Sequence, residues 1–183
     1  DASMPPAPVG APARAVSTFD YLPAPQALAE GGPYMVIYPV EEYVNLWQDA
    51  GDETIAKTVT ALQTLLAEQP AASAAPMPIL PPPGAVNDLA VQTQYIDFGS
   101  GNGVRFVGRL SQDASPVLNG QTDYYVQGLT EDGRFYVSMR WPVTTSALPG
   151  SMEEMTPEQQ QAIENDFATY MQQTTDRLTG LEP

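Results

Sequence analysis

Between residues 90 and 142 the chain alternates four β-rich runs with turn-forming residues, and this stretch limits the fold more than any other. Val91 to Phe98 and Val104 to Leu110 flank Gly99-Ser100-Gly101-Asn102-Gly103, a link that tolerates positive φ. Asn119-Gly120 precedes the third run, Thr122 to Leu129. Asp132-Gly133 then leads into Arg134 to Trp141, and Asp-Gly between β-rich runs is a strong hairpin signal. Pro142 has no N–H to donate and is expected to end the ladder. Upstream, Tyr34 to Tyr38 is a short β-forming run closed by Pro39, a candidate fifth strand.

The segments around this ladder read as helix. Glu41 to Ala50 predicts a short one, with Tyr43 and Trp47 one turn apart and Gly51 as its stop. Asp52 is a good N-cap for the next, in which Ile55, Val59, Leu62 and Leu66 form one buried stripe and Pro70 closes the run. Near the C-terminus, Thr156-Pro157-Glu158-Gln159 supplies an N-cap, a Pro in the first turn and a capping-box Gln. One helix with an apolar stripe from Ile163 to Leu181 is expected behind it.

The predicted class is therefore α+β: an antiparallel four- to five-stranded meander sheet packed by amphipathic helices. Asp1 to Val16 alternates Pro with Ala and Gly, so residues 1–17 read as a tether and 18–183 as a single domain. Ala71 to Gly84 is also rich in Pro and Ala and is expected to be a surface crossover.

Lys plus Arg is 7 against 22 Asp plus Glu, a formal charge of −15. Such a chain is repelled by nucleic-acid phosphates, so no nucleic acid partner is expected. With no Cys and no His, thiolate chemistry, disulfides, zinc–thiolate sites and the usual near-neutral acid–base group are all missing. No apolar run approaches the ~20 residues of a transmembrane helix. No cofactor and no metal is expected. Asp97 to Gly103 offers too few side-chain oxygens for calcium, and its glycines are explained by the turn. No pair of carboxylates stands out for acid–base catalysis, and Lys57 lies on the polar side of an ordinary helix.

Several short motifs occur in a distinctive order: Tyr38-Pro39-Val40-Glu41-Glu42-Tyr43, Tyr95-Ile96-Asp97-Phe98-Gly99, Gly103-Val104-Arg105-Phe106, Gln127-Gly128-Leu129-Thr130-Glu131-Asp132-Gly133-Arg134, Tyr136-Val137-Ser138, Pro142-Val143 and Leu148-Pro149. Over residues 34 to 149 this order resembles a family of uncharacterised exported bacterial proteins, many of them lipoprotein-like. Members often carry Leu-Thr after the Arg-Phe, where this chain has Val107-Gly108. The resemblance implies an extracytoplasmic location, secreted or envelope-anchored, and assigns no catalytic residues.

Alternation along the strands proposes two unlike faces. Val104, Phe106 and Leu110, with Phe135, Val137, Met139 and Trp141, are the core candidates. The other sides carry Arg105 and Arg109, then Arg134, Tyr136, Ser138 and Arg140, with Tyr125 and Gln127 from the third run. If these share one face, Arg105, Arg109, Arg140, Tyr125 and Tyr136 make a candidate anion site, since guanidinium forks recognise carboxylates bidentately. The alternative is that the arginines pair with acidic residues such as Glu153, Glu154 and Glu158, or face water. The expected function is a non-catalytic binding or interaction module whose partner is a protein or an anionic small ligand. A structural or assembly component is the second expectation.

Overall fold

The computed structural model describes residues 15–18, 32–70 and 76–181. Its centre is one antiparallel sheet in the order β1-β2-β6-β5-β4-β3. The strands are β1 (Ala15–Thr18), β2 (Tyr34–Pro39), β3 (Val86–Asp97), β4 (Gly101–Ser111), β5 (Thr122–Thr130) and β6 (Phe135–Val143). The four C-terminal strands form the expected meander, and β2 extends it by pairing with β6. The short β1 pairs at the outer edge with β2, so the last residues of the expected tether belong to the sheet. The remainder of residues 1–14 lies outside the described residues.

Turn chemistry sets the meander. Gly99 (φ +79°) and Gly133 (φ +69°) adopt the left-handed region that only glycine enters freely. Asp97 Oδ1 accepts the Gly99 N–H at 2.6 Å, and Asp132 Oδ1 accepts that of Arg134 at 3.0 Å. Gly101 is needed for another reason: a Cβ there would lie 2.1 Å from the Leu129 carbonyl oxygen. Pro142 does not end the ladder; it sits within β6 opposite Asp123. Since β2 reaches only as far as Arg140, β6 is an edge at Pro142, where a sheet accepts proline.

Helices cover both sides. α1 (Val40–Gln48) and α2 (Thr54–Glu68) lie on one face, and Ile55, Val59 and Leu62 of α2 are buried. Each such side chain contributes about 1.5–3 kcal/mol by leaving water. The opposing sheet residues are Tyr34, Val36, Tyr38, Tyr136, Tyr125, Val104 and Phe106. The crossover is no surface feature in its second half: Met77, Ile79 and Leu80 are buried against this face. Leu80 N–H donates to Gln127 Oε1 at 3.2 Å, and Met77 N–H to Asn87 Oδ1 at 2.9 Å, so the crossover's backbone polar groups are satisfied inside.

The expected C-terminal helix is two helices, α3 (Pro157–Asn165) and α4 (Phe167–Thr179). The capping box of Thr156 and Gln159 starts α3 as predicted. The break falls at Asp166, which leaves helical geometry (φ −156°, ψ 77°) and caps α4 by accepting from Thr169 N at 3.1 Å. Asn165-Asp166 is a weak pair for a helix interior and a strong one for a cap. Tyr170, Thr174 and Leu178 of α4 are buried against β3 and β4, where Leu89, Val91 and Val107 meet them. Among the described residues no helix is long and apolar enough to cross a membrane.

Candidate functional site

Register decides which side chains meet. Directly opposite residues of an antiparallel ladder share a face. Phe106 lies opposite Tyr125, Tyr125 opposite Arg140, and Arg140 opposite Tyr34, giving one cross-strand row. Val104, Gln127, Ser138 and Val36 form the next row on the same side. Arg105, Val107 and Arg109 point to the other side. The alternation within each strand is as read from sequence, but its phase between strands is not. Arg140, Tyr125 and Tyr136 share the α1–α2 face with Phe106, while Arg105 and Arg109 are on the α4 face. The joint five-residue anion surface is therefore not assembled.

Each candidate has its own surroundings. Tyr136 is buried, and its hydroxyl donates to the Pro78 carbonyl at 3.4 Å. Burial pushes its phenol well above the usual range. Tyr125 stacks on Phe106 at 5.2 Å and donates to Asp123 Oδ2 at 3.2 Å. Burial raises its pKa too, and the Asp123 charge adds to the shift. Arg140 holds the same Asp123 oxygen at 2.7 Å. Burial works against the Arg140 charge, but the hydrogen bond and charge of Asp123 outweigh it and the guanidinium pKa rises. This cluster is a neutralised polar network inside the sheet.

Arg109 is only 2% exposed. It grips both Asp88 oxygens and donates to the Ser115 and Pro116 carbonyls at 2.9 and 2.7 Å. Asp88 reaches it because β3 shifts register between Asn87 and Leu89. The acidic partners of Arg109 and Arg140 are thus Asp88 and Asp123, not Glu153, Glu154 or Glu158. Trp141, taken as core from sequence, is 42% exposed, and Phe135, Val137 and Met139 are half-buried.

Arg105 differs from both. It donates to Gln94 Oε1, its cross-strand neighbour, and its guanidinium carbon lies 5.9 Å from the centre of the Tyr124 ring. Among the described residues no carboxylate pairs with it. It lines a cleft of about 250 Å³ between the sheet and the C-terminal turn of α4, with Val91, Val107, Tyr124, Leu178 and Leu181 as apolar walls. A second irregularity of β3, between Val91 and Gln94, shapes this cleft. There Gln92 takes φ +56°, and its side-chain amide donates to the carbonyls of Leu178, Thr179 and Leu181 at 2.9, 3.1 and 2.8 Å. Leu178 and Thr179 close the last turn of α4, where carbonyls lack an i+4 partner within the helix, and Leu181 follows it. Gln92 and Asp88 escaped the sequence reading, because a bulge leaves no periodic signature.

Two other clefts carry charges of both signs. One, of about 470 Å³ at the start of α1, combines Arg134 with Glu41 and Glu42. The other, of about 250 Å³, combines Arg109 and Arg140 with Asp123. Among the described residues, no group of three or more acidic side chains is placed to hold a metal ion. No family model matches this chain, and neither the curated proteins nor the solved structures give a match.

Proposed function

We propose that the chain is a non-catalytic binding module that acts outside the cytoplasm, and that its ligand site is the cleft between β3–β5 and the end of α4. One observation carries the reading. In a chain with 22 acidic residues, this cleft has none in its lining and holds an arginine without a carboxylate partner among the described residues. A mostly apolar concavity with one convergent charged group is the usual form of a small-ligand site. The location rests on the Pro/Ala-rich first segment and on a motif order that resembles that of exported proteins.

The test is a small-fragment screen followed by amide chemical shifts of the intact chain. Shifts concentrated at Val107, Tyr124 and Leu178 are expected. Binders that shift only residues elsewhere, or no binders at all, would refute the assignment.

A second reading, an assembly component, is favoured by Trp141 and by Met35, Ile37, Val137 and Met139, a row of partly exposed apolar side chains on the α4 side of β2 and β6. It predicts a mass that rises with concentration in sedimentation and falls back in Trp141→Ser.

A further inference from the structure

The cleft's chemistry narrows its ligand beyond the binding role just proposed, on which this inference rests. We infer that it takes a small monocarboxylate with an apolar tail.

Guanidinium presents five N–H donors, and Gln94 engages one side of Arg105. The remaining donors have no acceptor among the described residues. An acidic neighbour would have neutralised the site, as Asp88 and Asp123 neutralise Arg109 and Arg140. The end of α4 would also have opposed an anion, since helix C-termini carry partial negative charge. Gln92 offsets part of that charge by donating to the Leu178 and Thr179 carbonyls of α4 and to the Leu181 carbonyl just beyond it. The formal charge of −15 repels anions at long range, but salt screens it beyond ~8 Å, whereas Arg105 acts at contact.

The headgroup is a monoanion for a geometric reason. A phosphate dianion calls for a second cation or a helix N-terminus. This cleft has one arginine and faces a helix C-terminus. A carboxylate matches a single guanidinium fork.

Size and walls define the tail. Val91, Val107, Tyr124, Leu178 and Leu181 offer no charge and are suited to an aliphatic or small aromatic group. Allowing ~30 Å³ per heavy atom, as for a water in the liquid, about 250 Å³ holds roughly eight heavy atoms. Straight-chain acids of about six carbons, with their two oxygens, are therefore apt probes.

Calorimetric titration of the intact chain with hexanoate, 1-hexanol and hexylamine separates the possibilities. Hexanoate is expected to bind at least tenfold more tightly than either of the others. Arg105→Gln is expected to erase that preference. Val107→Trp, which fills the cleft, should abolish all binding. Leu181→Trp, at an exposed position on the rim, gives the same block if Val107→Trp fails to fold. Equal binding of the three probes, blocked by either Trp, leaves the cleft as a binding site and overturns the carboxylate. Binding of none, or binding that neither Trp variant disturbs, overturns the site itself.

Discussion

Arg105 and Arg109 stand four residues apart on one strand and on one face, yet the fold puts them to opposite uses. Arg109 is enclosed, with a carboxylate and two carbonyls taking four of its five N–H donors. Among the described residues, Arg105 has Gln94 as its one hydrogen-bond acceptor, beside an apolar cleft. The residue type and the strand alternation are the same. What differs is the neighbour on β3: one irregularity places Asp88 at Arg109, whereas Arg105 is met by Gln94, an uncharged amide, while Gln92 reaches α4. A guanidinium becomes part of the scaffold or part of a site according to whether the adjacent strand brings it an acid.

The largest test of that contrast is Asp88→Ala. It strands a buried positive charge, and a loss of about 3 kcal/mol is expected in urea unfolding, the low end for a broken buried pair because the Asp88 side chain is 21% exposed. The double variant Asp88→Ala, Arg109→Met should recover much of the loss, since an apolar side chain there leaves no charge to satisfy. A single-variant loss below about 1 kcal/mol would mean that Asp88 does not hold Arg109.

Alkaline titration comes next and isolates the opposite face, because both arginines keep their charge there. Tyr34, Tyr38, Tyr43, Tyr125 and Tyr136 all have phenols raised by burial above the ordinary value near 10. A raised folded pKa on an acid that is neutral when protonated stabilises the fold fully below pH ~10. The contribution is lost as the pH climbs from there toward the folded values, because the unfolded chain ionises first. The melting temperature should fall steeply above pH ~10 while phenolate absorbance lags until unfolding. Early phenolate formation by all nine tyrosines in folded protein would contradict the packing.

Gln92→Ala should have a smaller effect, local to the end of α4. Amide exchange of residues 175–181 should quicken with little change at Leu62 or Phe106. Uniform acceleration would show that Gln92 supports the whole fold. Smallest of all, Arg105→Ala should cost under about 1 kcal/mol, because the half-buried Arg105 leaves no carboxylate behind. A loss as large as that of Asp88→Ala would erase the distinction between the two arginines.

Much of the scaffold was legible. Asp132-Gly133 and the glycines of 99–103 announced hairpins, and the α2 stripe announced its buried face, because both signals are local. The phase between strands was not local. Trp141 and Phe106 are alternating residues in two equally convincing strands, and only the pairing of Tyr125 with both Phe106 and Arg140 fixes which sides coincide. A one-residue difference in turn length reverses that relation. Arg109 illustrates a second barrier: its burial depends on Asp88, a residue displaced by a bulge rather than by any pattern. Asn165-Asp166, by contrast, carried a readable hint of the helix break, which the longer apolar stripe overrode.

The two borders of the sheet have a consequence for the protein at high concentration. On one side the outermost described strand is four residues long, and on the other it is interrupted twice along its twelve. Neither rim, among the described residues, presents the long straight row of unpaired amides that recruits a further strand from a neighbour. Association between copies is thereby steered toward side-chain contacts, which reverse on dilution, and away from the backbone zippering that seeds fibrils.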